Sequence, residues 1–218
     1  MQHCRDEAHE DDHHHHHHHD HDHDDDVEAA LKDTLFSKID VDRVRCLNES
    51  EPGAARRVFK PWHERLDTTK FVESDCDEQL IIYIPFTGSV KLKSISIRGG
   101  PGEKSPAKMK AIINREDVDF DNADSMTPTQ EWDLVQAEAH KDVVEYATRI
   151  TKFTSVRSIT LYFPENYGED TTVITYLGFK GDWTEINEDP IITIYELAAN
   201  PSDHKTPAAE QQANHRVE

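Results

Sequence analysis

The chain has 218 residues, with 24 Lys or Arg against 44 Asp or Glu, which gives a formal net charge of −20 with neutral His. This acidity, without any cluster of Lys or Arg, argues against binding to nucleic acid or anionic lipid, because both require concentrated positive charge. No apolar run approaches the roughly 18 residues of a membrane span, and the first residues lack the apolar core of a secretory signal.

A low-complexity tract opens the chain. Residues 1–26 hold eleven His, ten Asp or Glu and one Arg, but no large branched or aromatic residue. Such a segment has too little apolar surface to offset the entropy lost on folding, so we predict a disordered tail. It is either a polar tail without a dedicated site or a soft, adventitious chelator of Zn, Ni or Cu. The candidate metal ligands are His13, His14, His15, His16, His17, His18, His19, His21 and His23.

One folded domain is predicted over residues 27–204, followed by a flexible polar tail over 205–218. It begins with a short helix followed by a turn or a second helical piece over residues 27–45, where Asp26 is a suitable N-cap. From about residue 54 the pattern changes to short runs of strand-forming residues separated by Gly, Pro, Asn and Asp. The predicted strands are 55–60, 78–86, 90–98, 107–114, 131–138, 142–148, 156–163, 171–179 and 191–197.

Two of these strands carry finer information. Residues 78–86 are apolar on both faces, which is typical of a central strand that is covered on both sides. In residues 90–98 the apolar positions shift from even to odd numbers, which predicts a β-bulge near Lys93–Ser94. The intervening residues 87–89 are predicted to form a tight hairpin connection.

The spacing of the strands indicates the fold class. No long amphipathic helix separates any pair of strands, which excludes a βαβ architecture. We therefore predict an all-β protein, an antiparallel β-sandwich or jelly roll.

Two loops resemble binding motifs only in part. Residues 99–105 resemble a phosphate-binding loop, but Glu103 separates the last Gly from Lys104, and Pro106 follows, so we predict a surface loop. Residues 117–122 resemble the start of a calcium loop. Asn122 stands where that template requires Gly, which leaves either a weak cation site or a solvated acidic loop with Phe120 turned inward.

Candidate catalytic groups are scarce, and we predict a non-enzyme without a cofactor. The chain contains no G-x-S-x-G nucleophile motif. Cys76 lies between Asp75 and Asp77, whose charges oppose formation of a thiolate, and Cys46 reads as a small buried apolar residue. With only Cys4 in addition and no CxxC pair, the cysteines indicate a reducing compartment, so we expect a cytoplasmic and nuclear protein.

Two aromatic segments stand out as a candidate partner surface, since aromatic residues dominate both protein cores and interface hot spots. One surrounds a Pro that ends a predicted strand, and the other lies between glycines. The candidate binding residues are Phe59, Lys60, Trp62, Phe179, Lys180 and Trp183.

These segments, together with others, resemble the PITH domain family, the proteasome-interacting thioredoxin C-terminal domain. The similarity extends over residues of about 38–204 and is closest to members in which the domain stands alone. The matching blocks are residues 46–50, 58–80, 84–95, 120–121, 152–156, 170–185 and 199–204.

The resemblance implies a galactose-binding-like jelly roll without catalysis. It also implies a monomeric interaction module that associates with a protein complex, foremost the proteasome, which thioredoxin-like relatives contact through this domain. The overall acidity implies that such a partner presents a basic or neutral face. Two alternatives stay open: a jelly roll that binds a small, carbohydrate-like ligand on an aromatic groove, and a metal-sequestering protein that acts through the His tract.

Overall fold

The computed structural model describes residues 33–139 and 141–186. The strands are β1 (Arg45–Leu47), β2 (Val72–Glu73), β3 (Leu80–Gly99), β4 (Lys108–Ile113), β5 (Gln130–Asp133), β6 (Val144–Ala147), β7 (Val156–Phe163) and β8 (Val173–Thr184). Short 3-10 turns lie at Phe36–Lys38, Val41–Arg43, Ala54–Val58, Trp62–Glu64, Gly102–Lys104, Ala137–Ala139 and Ile150–Lys152. Within the two described ranges there is no α-helix, and no helix that has the length and hydropathy of a membrane span.

Strand β3 belongs to both layers of the sandwich. Its first half pairs with β7 and β1, and its second half pairs with β8 and β6. Strands β4 and β5 extend the layer beyond β7, while β2 extends the other layer beyond β8. All these pairings are antiparallel, so the antiparallel β-sandwich that the sequence predicts is confirmed.

The first half of β3 is covered on both faces, as its sequence predicts. Leu80, Ile82 and Ile84 belong to the main core between the layers. Ile81 points to the opposite face and packs in a second apolar cluster with Val118, from the polar loop that follows β4. The loop therefore acts as a cover for a face that would otherwise be exposed.

The predicted bulge is confirmed. Leu92 pairs with Gly181 and Ser94 with Lys180, so Lys93 is the extra residue in β3. One inserted residue reverses the facing of everything after it, which brings the odd-numbered isoleucines into the core.

The predicted hairpin at residues 87–89 is wrong. Strand β3 continues through these residues, and only its register with β7 shifts between Pro85 and Val90. A Cβ atom on Gly88 would lie 2.4 Å from Nε1 of Trp183. The Gly therefore permits close approach of β8 and does not make a turn.

The sequence predicts a short helix and then a turn or second helical piece over residues 27–45. Residues 27–32 lie outside the described residues, and the described remainder contains no α-helix. Residues 33–44 form two 3-10 turns that cross the sandwich, and β1 follows. The amide of Leu35 donates to the carbonyl of Phe179, and the amide of Asp40 donates to the carbonyl of Pro85, both at 2.9 Å. Pairing with the strands has replaced the local hydrogen bonds of a helix, so tertiary contacts override helix propensity.

The predicted strand at residues 55–60 is wrong as well, because most of it is the 3-10 turn Ala54–Val58. The turn is set by Glu49, whose carboxylate accepts hydrogen bonds from the amides of Gly53 at 2.6 Å and Ala55 at 3.0 Å. Gly53 has a φ of 83°, a conformation that disfavours other residues.

The remaining strand predictions differ mainly in length. The strand at 156–163 is confirmed over its whole range, and those at 107–114 and 171–179 correspond to β4 and β8. Those at 131–138 and 142–148 shrink to the four-residue strands β5 and β6. The strand at 191–197 and the tails over 1–26 and 205–218 lie outside the described residues.

Phe120 does not turn inward as predicted. Its side chain is 39 % exposed, whereas the neighbouring Val118 is 7 % exposed and packs on the sheet. Polar groups of this loop hydrogen-bond to one another, and the Asp119 carboxylate accepts the amide hydrogen of Asn122 at 3.0 Å. Among residues 33–139 and 141–186, no three His, Cys, Asp or Glu side chains are grouped as a metal site would require.

The core position of Phe179 leads to a prediction. Its ring stacks on Phe59 at a centroid distance of 6.3 Å and meets Phe86 edge-on at 5.5 Å. We expect Phe179→Ala to lower the free energy of unfolding by about 3–5 kcal/mol, because it leaves a cavity between the layers. Phe120→Ala is the matched control, with an expected change below about 0.5 kcal/mol in urea denaturation. Equal costs for both variants would contradict the placement of Phe179 in the core.

Candidate binding surface

The six residues predicted as a partner surface do not form one. Phe59 and Phe179 are core residues, and Lys60 is only 3 % exposed. Trp62, Lys180 and Trp183 are half-buried. The alternation of Leu177 with Phe179 along β8 is the sequence signal that places Phe179 in the core. The flanking glycines instead favour an exposed turn.

Lys60 instead anchors the chain from Pro61 to Phe71, which we call the 61–71 segment. The Lys60 ammonium donates hydrogen bonds to the carbonyl oxygens of Asp67 and of Lys70, the latter at 3.2 Å. Burial lowers the pKa of Lys60, and the nearby Asp67 carboxylate opposes that shift. The buried cation therefore fixes the far end of a segment that has little regular structure.

Trp62 fixes the near end of the same segment. The Arg65 guanidinium lies 4.4 Å from the Trp62 ring centroid, and the Lys180 ammonium lies 5.5 Å from it. Arg65 also binds both carboxylate oxygens of Asp142, at 2.7 and 2.8 Å, and these bonds hold the pKa of that carboxyl below its usual range. Trp62 thus sits in a network of cations and does not present an open ring face.

Trp183 is likewise engaged. The Lys38 ammonium lies 3.9 Å from its ring centroid. Its indole Nε1 is buried, and no hydrogen-bond partner for it lies in the described part of the chain. Both rings are half-buried and have a cation close to the ring, which reduces the area open to a carbohydrate-like ligand.

The 61–71 segment exposes two other large apolar side chains, which sequence reasoning did not single out. Leu66 is 45 % exposed and Phe71 is 41 % exposed. Leu66 precedes Asp67 and Phe71 follows Lys70, the two residues whose carbonyl groups bind Lys60, so their positions are held while their side chains face solvent. Large apolar side chains on an ordered segment are typical of protein-binding surfaces.

A cleft of about 670 Å³ adjoins this segment. Its walls include Phe71, the end of β3 with the following loop, and Val173 at the start of β8. The charged residues that line it are Glu73, Arg98, Lys104, Glu138 and Lys141. We call this feature the basic cleft, since it carries three cations and two carboxylates in a chain whose net charge is −20.

The two carboxylates of the basic cleft are already engaged. Glu73 accepts hydrogen bonds from Lys104 and from the Thr171 hydroxyl, both at 2.8 Å, and the Lys104 ammonium holds its pKa below the usual range. Glu138 accepts the amide hydrogen of Gly102 at 2.9 Å. Arg98 and Lys141 are therefore the cations left to meet a ligand.

The loop over residues 99–105 lines the cleft but is not a phosphate-binding loop. It contains only the three-residue 3-10 turn Gly102–Lys104, and Lys104 pairs with Glu73. The amide of Gly100 is likewise used, because it donates to the carbonyl of Val173 at 2.7 Å. The prediction of a surface loop is consistent with this arrangement.

Surface charge is segregated. A second depression, of about 580 Å³, lies beside the loops that precede β3 and β8. It carries five carboxylates and no cation, namely Asp77, Glu78, Glu165, Glu169 and Asp170. The basic cleft is therefore a local reversal of the charge that prevails elsewhere.

The cysteines in the described residues have raised thiol pKa values. A hydrogen bond to the Asp75 carboxylate raises the pKa of Cys76, and burial raises that of Cys46. Neither is an activated nucleophile at neutral pH. The candidate metal ligands His13–His19, His21 and His23 lie outside the described residues.

The fold defines a class of protein: an antiparallel β-sandwich of the jelly-roll type. A solved structure of the CBM32-1 and CBM32-2 domains of Clostridium perfringens ZmpB, in complex with GalNAc, is similar to it, with a TM-score of 0.52 and 9 % sequence identity. The match covers 72 % of this chain and 38 % of that one. This likeness shows the fold alone, a galactose-binding-like jelly roll.

Sequence comparison places the chain within one family of such proteins. The PITH domain model matches residues 25–199, and the chain belongs to the PITH domain family. It is 43 % identical to human PITH domain-containing protein 1 over 175 residues, which cover 78 % of this chain and 80 % of that protein. It is 41 % identical to the Drosophila melanogaster PITH domain-containing protein CG6153 over 202 residues, which cover 92 % and 94 % of the two chains. The names of these two relatives contain no enzymatic term.

The role of Lys60 can be tested by Lys60→Met, which keeps the length of the side chain but removes its charge. We expect the free energy of unfolding to fall by about 1–3 kcal/mol, because two carbonyl groups lose their donor. Released from its anchor, the 61–71 segment should be cleaved faster by trypsin after Arg65 and Lys70. Lys152→Met is the control, since the exposed Lys152 also donates to a carbonyl. Unchanged stability and cleavage for Lys60→Met would show that Lys60 does not anchor the segment.

Proposed function

We propose that this protein is a non-catalytic interaction module that docks on a protein complex through the 61–71 segment. The observation that carries the proposal is the exposure of Leu66 and Phe71 on a segment held at Lys60 and Trp62. The raised pKa values of the Cys46 and Cys76 thiols are in keeping with the non-catalytic part of the proposal.

The physical advantage of this surface is its pre-organisation. Association costs free energy when loops and side chains become ordered at the interface. Here Lys60 and the Arg65–Asp142 pair order the 61–71 segment when the chain folds, so less free energy is lost in ordering it on binding. Exposed apolar side chains in such a setting can then contribute most of their burial energy to binding.

The proteasome is the first partner to test. The support is membership of the PITH domain family, whose thioredoxin-like members, as the sequence resemblance implies, contact the proteasome through this domain. A proteasome partner fits a monomeric module in the cytoplasm and nucleus.

The proposal is tested by measuring capture of purified proteasome on the immobilised full-length chain, with Leu66→Ser/Phe71→Ser as the variant. Interface anchors each contribute more than about 1 kcal/mol, so the double variant should bind at least about 30-fold more weakly. Leu47→Ser/Phe120→Ser is the matched control, because both residues are 39 % exposed but lie elsewhere. The control should bind like the unchanged chain.

Two results would count against this function. Failure of the unchanged chain to capture the proteasome removes the proposed partner. Equal weakening by the variant and by the control removes the 61–71 segment as the docking surface.

A further inference from the structure

We propose that the basic cleft binds a short acidic peptide segment of the partner that also carries large apolar side chains. The inference rests on the proposed function and deepens it, because it names the chemistry that the module recognises beside the 61–71 segment.

Charge is the first argument. The only hydrogen bond found for the Arg98 guanidinium among the described residues is to the carbonyl of Lys141, at 3.4 Å. Within residues 33–139 and 141–186, no carboxylate lies within 4.0 Å of either Arg98 or Lys141. Their neighbours are paired, since Arg65 binds Asp142 and Lys104 binds Glu73. Asp142 lies close enough to Arg98 to interact with it electrostatically, but both carboxylate oxygens of Asp142 accept hydrogen bonds from Arg65. Two cations without an ion-pair partner of their own on one cleft are complementary to carboxylates of a ligand.

The apolar lining is the second argument. Phe71 and Val173 line the same cleft as the two cations, and the Gly99–Gly100 backbone lies between them. A Cβ on Gly100 would lie 2.5 Å from Cβ of Val173, so the absence of a side chain there keeps the backbone against β8. A ligand that fills this cleft must therefore present both carboxylates and apolar side chains.

Size distinguishes a peptide from a small anion. The cleft, at about 670 Å³, lies within the range of roughly 300–1,000 Å³ found for sites that enclose whole organic ligands. A single phosphate would fill a small part of it and would leave Phe71 and Val173 unused. An amphipathic peptide uses both parts of the lining.

The position of the cleft is the third argument. Phe71 belongs both to the 61–71 segment and to the cleft wall. A partner that packs on Leu66 and Phe71 therefore brings its adjoining residues directly to Arg98. The cleft and the segment form one continuous surface.

The experiment measures fluorescence anisotropy of a fluorescein-labelled peptide, in which Asp and Glu alternate with Leu and Phe, on titration with the full-length chain. A second peptide replaces Asp and Glu by Asn and Gln. The protein variants are Arg98→Gln and Lys141→Gln, with Arg157→Gln as the control. Arg157 is exposed, and its neighbour Ser158 pairs with Pro85 in the first half of β3, whereas Arg98 lies near the end of that strand.

We expect the acidic peptide to bind and each cleft variant to weaken binding by about 10-fold, the effect of losing one charge-assisted hydrogen bond. Arg157→Gln should change the affinity by less than about 2-fold, as an exposed charge outside the site. The Asn and Gln peptide should bind at least about 10-fold more weakly. Lys141 is exposed, so Lys141→Gln keeps the test valid if Arg98→Gln does not fold.

Three results would overturn the inference: no binding of the acidic peptide, equal binding of the Asn and Gln peptide, or equal weakening by Arg157→Gln. Displacement of the peptide by low concentrations of inorganic phosphate would also overturn it, in favour of a phosphate site. The proteasome assay separates the two proposals. If Arg98→Gln/Lys141→Gln captures the proteasome undiminished, the cleft inference fails and the proposed function stands.

Discussion

The sharing of strand β3 between both layers is the constraint on which the rest of the structure depends. The strand has twenty residues, and the bulge at Lys93 changes its core-facing positions from even-numbered to odd-numbered residues. Without that extra residue, Ile95 and Ile97 would face away from the core, at a cost of roughly 1.5–3 kcal/mol for each lost burial. Because Ile97 faces the core, its neighbour Arg98 must face outward, where it lines the cleft. The bulge that completes the core therefore also sets the direction of the key cation of the proposed site.

A second dependence links the core to the surface through Lys60. A buried ammonium is costly unless it is hydrogen-bonded, and here it is satisfied by carbonyl groups from the segment that it anchors. Those carbonyls in turn require an interior donor, since the 61–71 segment has little secondary structure to pair them. The Lys60 ammonium thus satisfies carbonyl groups of the segment, and those carbonyl groups satisfy the buried ammonium. This explains how a segment so poor in regular structure can hold Leu66 and Phe71 in fixed positions.

The sequence predicted those features that follow from local alternation. The strand at 156–163, the covered first half of β3 and the bulge all appear as spacing of apolar residues, and together they are enough to indicate a β-sandwich. The errors have two physical causes. The turn at Ala54–Val58 depends on the Glu49 carboxylate, which binds amides only four and six residues further on, so its signal is local but is not an alternation of apolar residues. The path of residues 33–44 depends on backbone hydrogen bonds to distant strands, which lie outside any short window of sequence.

The binding surface was harder to predict for the same reason. Aromatic residues near Pro61 and among the glycines of β8 suit an interface as well as a core, and Phe59 and Phe179 belong to the core. The basic cleft combines Phe71, Arg98 and Lys141, which no motif connects along the chain. Only the pairing of β3 and β8 and the anchoring by Lys60 bring them together. The amino-acid composition gives the number of charges but not their positions, so it does not predict this cleft.

The net charge of −20 and the basic cleft together define a more selective site than either alone. At long range the negative net charge repels extended polyanions, so nucleic acid would gain little from the two cations of the cleft. At short range Arg98 and Lys141 attract carboxylates, and the apolar lining favours ligands that carry large apolar side chains beside those carboxylates. A partner with a basic or neutral face, interrupted by one short acidic and apolar segment, satisfies both conditions. Selectivity then comes from repulsion of the wrong ligands as much as from attraction of the right one.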